Sequence, residues 1–265
     1  MEQAPGLVHL QYPFLLVDKR EGHDSVLELT SFPRGRTIFT VHASMNVPNV
    51  DGLHYLFHTR DLARRVAPQL DSAHVTICPS LVVPPATLHG HGGERLRLLW
   101  VSRNDEGKFH DQLPWICDRL LALEPQVELR LIGRSQRLAL PEHERLSIVD
   151  CPVESLAAEY AAADLFWYFP HLALEETWCR TVTEAMSYGL PVVVASWGAM
   201  AEQLEGGEGL VVSEPAAVVD AVAHFVRDPL ARAKASAAAR LRAEALFAEA
   251  HRTLTSLYQR LADHD

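Results

Sequence analysis

From Leu96 onward, short runs of Leu, Val and Ile alternate with longer stretches of helical periodicity, and few architectures accommodate that alternation. Six apolar runs read as strands: 96–102 (LRLLWVS), 127–133 (VELRLIG), 146–151 (LSIVDC), 164–169 (DLFWYF), 190–196 (LPVVVAS) and 209–213 (GLVVS). Helices are expected between them at 111–124, 153–163, 179–189 and 199–206. Strands that are apolar nearly throughout belong to a parallel sheet covered on both faces, and each connection is long enough for the right-handed crossover such a sheet needs. The expectation is an α/β domain over residues 95–228.

The preceding residues repeat this grammar in shorter form. LVHLQYP (7–13), RTIFTVHAS (36–44), LHYLFHT (53–59) and HVTICPS (74–80) read as strands, DSVLELTSF (24–32) and TRDLARRVAPQL (59–70) as helices, and PPATLHGHGGER (84–95) as a linker. A second, smaller α/β domain with its linker is therefore expected over 1–94. After Pro215 the chain is Ala-rich with apolar residues at three- and four-residue intervals, so 229–265 is expected as a C-terminal helical segment packing back across the domains.

The formal net charge of −10 gives no electrostatic case for nucleic acid, so any anion must be held locally. The opening MEQAPGLVHLQYPFLLV has no basic region or small-residue cleavage pattern, and no apolar run approaches the roughly 20 residues that span a bilayer. A soluble cytoplasmic protein is expected, with peripheral membrane association left open. Cys78, Cys117, Cys151 and Cys179 form no CxxC pair and suit reduced core thiols. His89 and His91 are too small a set for a metal, and the Asp-His-Asp at 263–265 reads as a tail.

The segment EETWCRTVTEAMSYGLPVV (175–193) follows a predicted strand at its carboxyl end, where parallel sheets bind ligands. Glu176 and Glu184 on one helix would stand about 12 Å apart along the axis and roughly 80° apart around it, so they cannot share a proton or a metal. Glu176 is instead expected on the loop before the helix and Glu184 in its first or second turn, with the free amides of Trp178 to Thr181 between them as an anion site. Two carboxylates flanking such a site suit a ligand with hydroxyls at both ends and phosphates in the middle, such as a nucleoside diphosphate sugar. A structural reading stands beside this one: Thr181-Val-Thr-Glu184 also fits a capping box. A second segment, LLWVSRNDEGKFHDQL, places Arg103 and Lys108 across a polar turn at another carboxyl strand end, where two cations would neutralise a diphosphate and where a solvated turn would look the same.

Together these segments resemble the donor-binding domain of retaining GT-B glycosyltransferases, family 4 in particular. Members carry Gly-Arg, four residues and Lys-Gly after the first strand, matched here by S-R-N-D-E-G-K-F, and later an E-x7-E motif, matched by E-T-W-C-R-T-V-T-E-A-M-S-Y-G-L-P-V-V. The resemblance implies a GT-B-like fold of two Rossmann-like domains, the first abbreviated, and a retaining, metal-independent transfer of sugar from a nucleoside diphosphate sugar. Arg103 and Lys108 would hold the diphosphate, Glu184 the ribose hydroxyls and Glu176 the transferred sugar. Ser102, Gly133 at the end of the second strand, Trp178, Cys179, Arg180 and Thr181 would complete the donor site. Gly6-Leu-Val-His9-Leu-Gln and Thr40-Val-His42-Ala-Ser are similar to first-domain segments of the family, which makes His42 a positioning group for the donor sugar and, with Glu176, Arg103 and Lys108, part of the catalytic set. No cofactor is implied.

Gly198-Ala-Met-Ala-Glu202 matches only partly the family's Gly-Gly-x-x-Glu, Cys179 stands where members have Gly, and Phe109 replaces the Gly after the lysine. A UDP-sugar is preferred over a GDP-sugar only because such donors are common in the family. The acceptor (glycan, lipid-linked sugar, small molecule or protein) is not specified. The short first domain also suits a nucleotide-sugar-binding module, catalytically incomplete alone and completed by a second copy or a partner subunit; and because fold alone does not fix reaction, a nucleotide-sugar epimerase or phosphorylase on the same architecture is a further alternative.

Overall fold

The computed structural model describes residues 7–10, 35–42, 47, 49–86, 93–150, 156–174 and 176–263. The expected helix at 24–32, Gly6, His89, His91, Cys151, Glu175 and the last two residues lie outside that set. The chain divides into two units, Met1–Leu81 with Leu246–Asp265, and Val82–Ala245.

In the first unit, strands β1 (Val8–Leu10), β2 (Thr37–Val41), β3 (Leu53–Phe57) and β4 (Val75–Ile77) form a parallel sheet in the order β1-β2-β3-β4. Helix α1 (Arg60–Val66) starts where the Thr59 side chain accepts the Leu62 amide. Phe39, Val41, Tyr55, Phe57 and Leu62 pack together, while Ile38, Leu56 and Cys78 meet Ala250, Leu257 and Leu261 of the chain's last helix. Alternate residues of β2 and β3 thus serve two apolar layers, and every residue of both strands is buried, Thr37, Thr40 and His54 included.

The second unit contains β5 (Leu96–Val101), α2 (Leu113–Leu123), β6 (Val127–Ile132), β7 (Leu146–Val149), α3 (Leu156–Ala161), β8 (Leu165–Tyr168), α4 (Arg180–Ser187), β9 (Val192–Ala195), β10 (Gly209–Val212) and α5 (Pro215–Arg227). Its six strands are all parallel, in the order β10-β9-β8-β5-β6-β7. The first strand, β5, lies inside the sheet between β6 and β8, so the chain winds one way from β5 to β7 and then the other way from β8 to β10. That reversal opens a crevice beyond the carboxyl ends of β5 and β8. Every residue of β8 and β9 is buried, whereas β10 at the sheet edge is largely open.

The final helix, α6 (Pro229–Ala262), begins at Asp228, whose carboxylate accepts the amides of Leu230 and Ala231. From Leu246 on it belongs to the first unit. The helix expected at 199–206 is reduced to a 3-10 turn at Ala201–Gln203. Gly206 and Gly207 follow at φ of 110° and 106°, which no right-handed helix accommodates, and the Gln203 side chain is drawn fully inside.

Candidate active site

The chain leaves β5 at Ser102 and passes Arg103 into a 3-10 turn, Glu106–Lys108, capped by Asp105, whose side chain accepts the Gly107 amide. The path is fixed by the neighbouring strand end. Ser102 donates its amide to Ile132, and Gly133 packs so closely that an added Cβ would lie 2.5 Å from the Ser102 carbonyl oxygen. At φ of 107°, Gly133 also occupies backbone space that side-chain-bearing residues rarely enter. Farther out, Asn104 accepts the Arg134 amide and Glu106 accepts the Ser135 hydroxyl and the Gln136 amide. Arg103 is exposed and has no ion-pair partner among the described residues.

From the other side of the crevice, the loop after β8 brings Glu176 to Lys108. Lys108 Nζ and Glu176 Oε1 are 2.7 Å apart, with side chains 16% and 13% exposed. Tyr168, the last residue of β8, donates its hydroxyl to the same carboxylate at 3.2 Å. Burial first, then the neighbouring Cys179 and Glu176, holds the Tyr168 phenol well above its ordinary range, so it remains a donor. The two sequence segments expected to grip opposite parts of one ligand therefore converge at adjacent strand ends.

Glu176 lies on the loop before α4 and Glu184 in that helix's second turn. The capping-box reading fails, because the N-cap is Cys179 rather than Thr181. That puts Glu184 beyond the first turn, where its carboxylate accepts from Tyr160 Oη at 3.0 Å and Arg180 Nε at 2.9 Å. The expectation of four free amides is also corrected: the Cys179 amide donates to Gln203 Oε1 at 3.0 Å. The amides of Arg180 and Thr181 open the helix and have no acceptor among the described residues, and these are the groups available to an anion. Trp178 is half-buried beside them.

Cys179 is 3% exposed, and burial pushes its thiol up to about 12. Phe109 is fully buried with its ring 5.0 Å from Trp100, so it fills core space instead of shaping a pocket. Tyr160, Tyr168 and Gln203 carry no sequence signal. Nothing in the residues around them marks them out, and only the fold brings each to a carboxylate or a helix start.

In the first unit, His42 follows β2 with its ring 5.0 Å from that of His58. Burial, then His58 and His9, lowers its pKa to about 4, so it is neutral at physiological pH. His9 is held by Tyr258 Oη and Thr40 Oγ1, each at 2.7 Å. Among the described residues no group of three or more His, Cys, Asp or Glu side chains could hold a metal ion, and no helix is long and apolar enough to cross a membrane.

A family model described as glycosyl transferases group 1 matches residues 95–228, just over half of the chain. No curated protein sequence matches. Among solved structures, HepE of Anabaena in complex with UDP-glucose is similar over 97% of this chain and 77% of its own, at 16% identity and a TM-score of 0.72. Sucrose-phosphate synthase of Thermosynechococcus elongatus is similar over 97% and 73%, at 17% identity and a TM-score of 0.73. A glycosyltransferase of Rickettsia africae is similar over 98% and 78%, at 13% identity and a TM-score of 0.72. At such identities these likenesses speak to the fold, which is α/β and GT-B-like, with two parallel sheets and C-terminal helices.

Proposed function

The chain belongs to the glycosyl transferases group 1 family, and on that premise we propose that it is a retaining family 4 enzyme moving a sugar from a nucleoside diphosphate sugar to an acceptor. The observation that carries this reading is the meeting of Lys108 and Glu176 at the crevice beside β5 and β8, next to the open amides of Arg180 and Thr181. A diphosphate in that crevice meets Lys108, Arg103 and two helix amides, while Glu176 is within the same few ångströms to accept hydroxyls of the transferred sugar. Glu184, eight residues on, takes the ribose hydroxyls. Ser102, Gly133 and Trp178 shape the walls, and Cys179, its side chain turned inward, contributes only the backbone that starts α4.

Breaking the bond between the anomeric carbon and the diphosphate leaves negative charge on the departing oxygen. Preorganised Arg, Lys and amide dipoles stabilise that charge as it forms, so the proposed transfer is metal-independent. The acceptor hydroxyl attacks from the face the diphosphate leaves: its oxygen bonds to the anomeric carbon, its proton passes to the leaving phosphate oxygen, and configuration is retained. A uridine donor is favoured, in line with the UDP-glucose complex of the similarly folded HepE.

Incubation of the purified protein with UDP-, GDP- and dTDP-sugars, following binding and slow hydrolysis, tests the reading. A UDP-sugar should bind and hydrolyse slowly, and Glu176→Ala and Arg103→Ala should suppress both. Binding to no donor would overturn the proposal. Binding with neither hydrolysis nor transfer would indicate a donor-binding module that needs a partner chain.

A further inference from the structure

Gln203 is fully buried, yet it belongs to a short turn between β9 and β10 with no fold-level need for a polar side chain. Its side-chain amide is spent entirely on the start of α4. Its Oε1 accepts the Cys179 amide at 3.0 Å, while Nε2 donates to the Cys179 carbonyl at 3.0 Å and to Thr183 Oγ1 at 2.8 Å. The flipped amide would set an NH2 group against the Cys179 N–H and an oxygen against the Cys179 carbonyl, so only one orientation satisfies the site. Cys179 is the residue whose carbonyl also accepts the Val182 and Thr183 amides, so Gln203 holds the helix at its cap.

The same turn grips the loop a second time, three residues earlier. Ala199 donates its amide to the Glu176 carbonyl at 2.7 Å. Gly198, at φ of 67°, packs so close that an added Cβ would lie 3.0 to 3.2 Å from the Glu176 backbone and Cβ. Glu176 and Cys179 are thus pinned from one side by the backbone at Gly198 and Ala199 and by the Gln203 side chain.

We infer that Gln203, assisted by Gly198 and Ala199, is the positioning residue that fixes where Glu176 and the amides of Arg180 and Thr181 meet the donor. The inference rests on the donor-site reading. Gln203 acts through Cys179: the cap residue sets the direction of the two open amides, and a misplacement of an ångström between Glu176 and those amides would separate the sugar grip from the phosphate grip.

The isosteric variant Gln203→Glu supplies the test, because its carboxyl reproduces the clamp only while protonated. A neutral carboxyl accepts from the Cys179 amide and donates one hydrogen bond. Ionised, it loses that donation and buries a charge, and burial brings that ionisation toward neutral pH. UDP binding, measured by calorimetry, should therefore be within about threefold of wild type at pH 5.5 and at least tenfold weaker than wild type at pH 8. A ratio of variant to wild-type affinity that does not change with pH overturns the inference. Backbone hydrogen exchange gives a reading that needs no donor. The Cys179 amide should be strongly protected in wild type and at least a hundredfold less so in Gln203→Ala, and exchange as fast as an open loop in wild type overturns the clamp. Failure of wild type to bind UDP, with Cys179 still protected, removes the donor reading and the positioning role while the clamp itself stands.

Discussion

Lys108 and Glu176, 68 residues apart in sequence, form a 2.7 Å ion pair that closes the space between the ends of β5 and β8. Both side chains are mostly buried, so removing either leaves the other charge poorly solvated. Lys108→Ala and Glu176→Ala should each lower stability by about 1–3 kcal/mol, and the double variant by clearly less than the sum. Each should also slow transfer by roughly a hundredfold or more, because one cation or one hydroxyl acceptor is lost at the reacting centre. Thermal unfolding of the four proteins of this cycle, with donor hydrolysis on the same samples, checks both. Additive stability losses would mean that the pair is not coupled in solution.

The strands were legible because a parallel strand covered on both faces is built mostly from Leu, Val and Ile, and each of the six runs from Leu96 onward contains one, even where Glu128 and Arg130 interrupt β6. The loop carrying Glu176 and the turn carrying Lys108 were legible for a related reason: charged residues and glycines directly after such runs have little structural use there. The order of the strands was not legible, since nothing in LRLLWVS says that its neighbours are VELRLIG and DLFWYF. Gln203 escaped notice because its role depends on a backbone more than 20 residues away, and AMAEQLEG has good helix propensity until the glycines and the buried amide override it. Cys179 and Phe109 stand where the family has glycine, and burial of both side chains is a property of the packing that their positions in the motif do not reveal.

Gly133→Ala isolates the backbone requirement at the β6 end. The new methyl would meet the Ser102 carbonyl oxygen at 2.5 Å, at a φ that already disfavours alanine. The cost should be about 3 kcal/mol, from strain plus displacement of the Ser102–Arg103 path. Donor affinity should fall with it, whereas Gly107→Ala, whose methyl would lie 3.4 Å from Asp105 Oδ1, should cost well under 1 kcal/mol. Denaturation midpoints of the two variants, compared under one buffer, decide the matter. Equal losses would mean that the close approach at Gly133 is relieved in solution.

His54 gives the first unit a definite acid sensitivity. It is 4% exposed, hydrogen-bonded to Thr76 Oγ1 at 2.8 Å, and lowered by burial, then Arg260 and His74, from 6.5 to about 4. Between those values the unfolded chain binds a proton that the folded one does not, so the contribution is fully present above pH 6.5 and is lost as pH falls toward 4. The loss amounts to about 3 kcal/mol at most. His54→Gln, which cannot titrate, should show a visibly flatter fall in melting temperature between pH 7 and pH 4.5 than wild type. An identical slope would place the acid sensitivity elsewhere, with His42, which is lowered in the same way, as the next group to replace.

Cys179 tests whether the motif's departure from glycine shapes donor choice or only packing. Its side chain is 3% exposed, its Sγ lies 3.4 Å from Thr181 Oγ1, and its backbone φ of −83° makes no demand for glycine. Burial pushes the thiols of Cys78, Cys117 and Cys179 alike up to about 12, which leaves almost no thiolate at neutral pH. All three should therefore resist iodoacetamide in the native protein and react once it is unfolded, as mapped by mass spectrometry. Cys179→Gly should lower stability by about 1–2 kcal/mol, through a small cavity and a looser cap, without changing the ranking of UDP-, GDP- and dTDP-sugars. A changed ranking, or rapid native alkylation of Cys179 that UDP suppresses, would put the thiol in the sugar pocket.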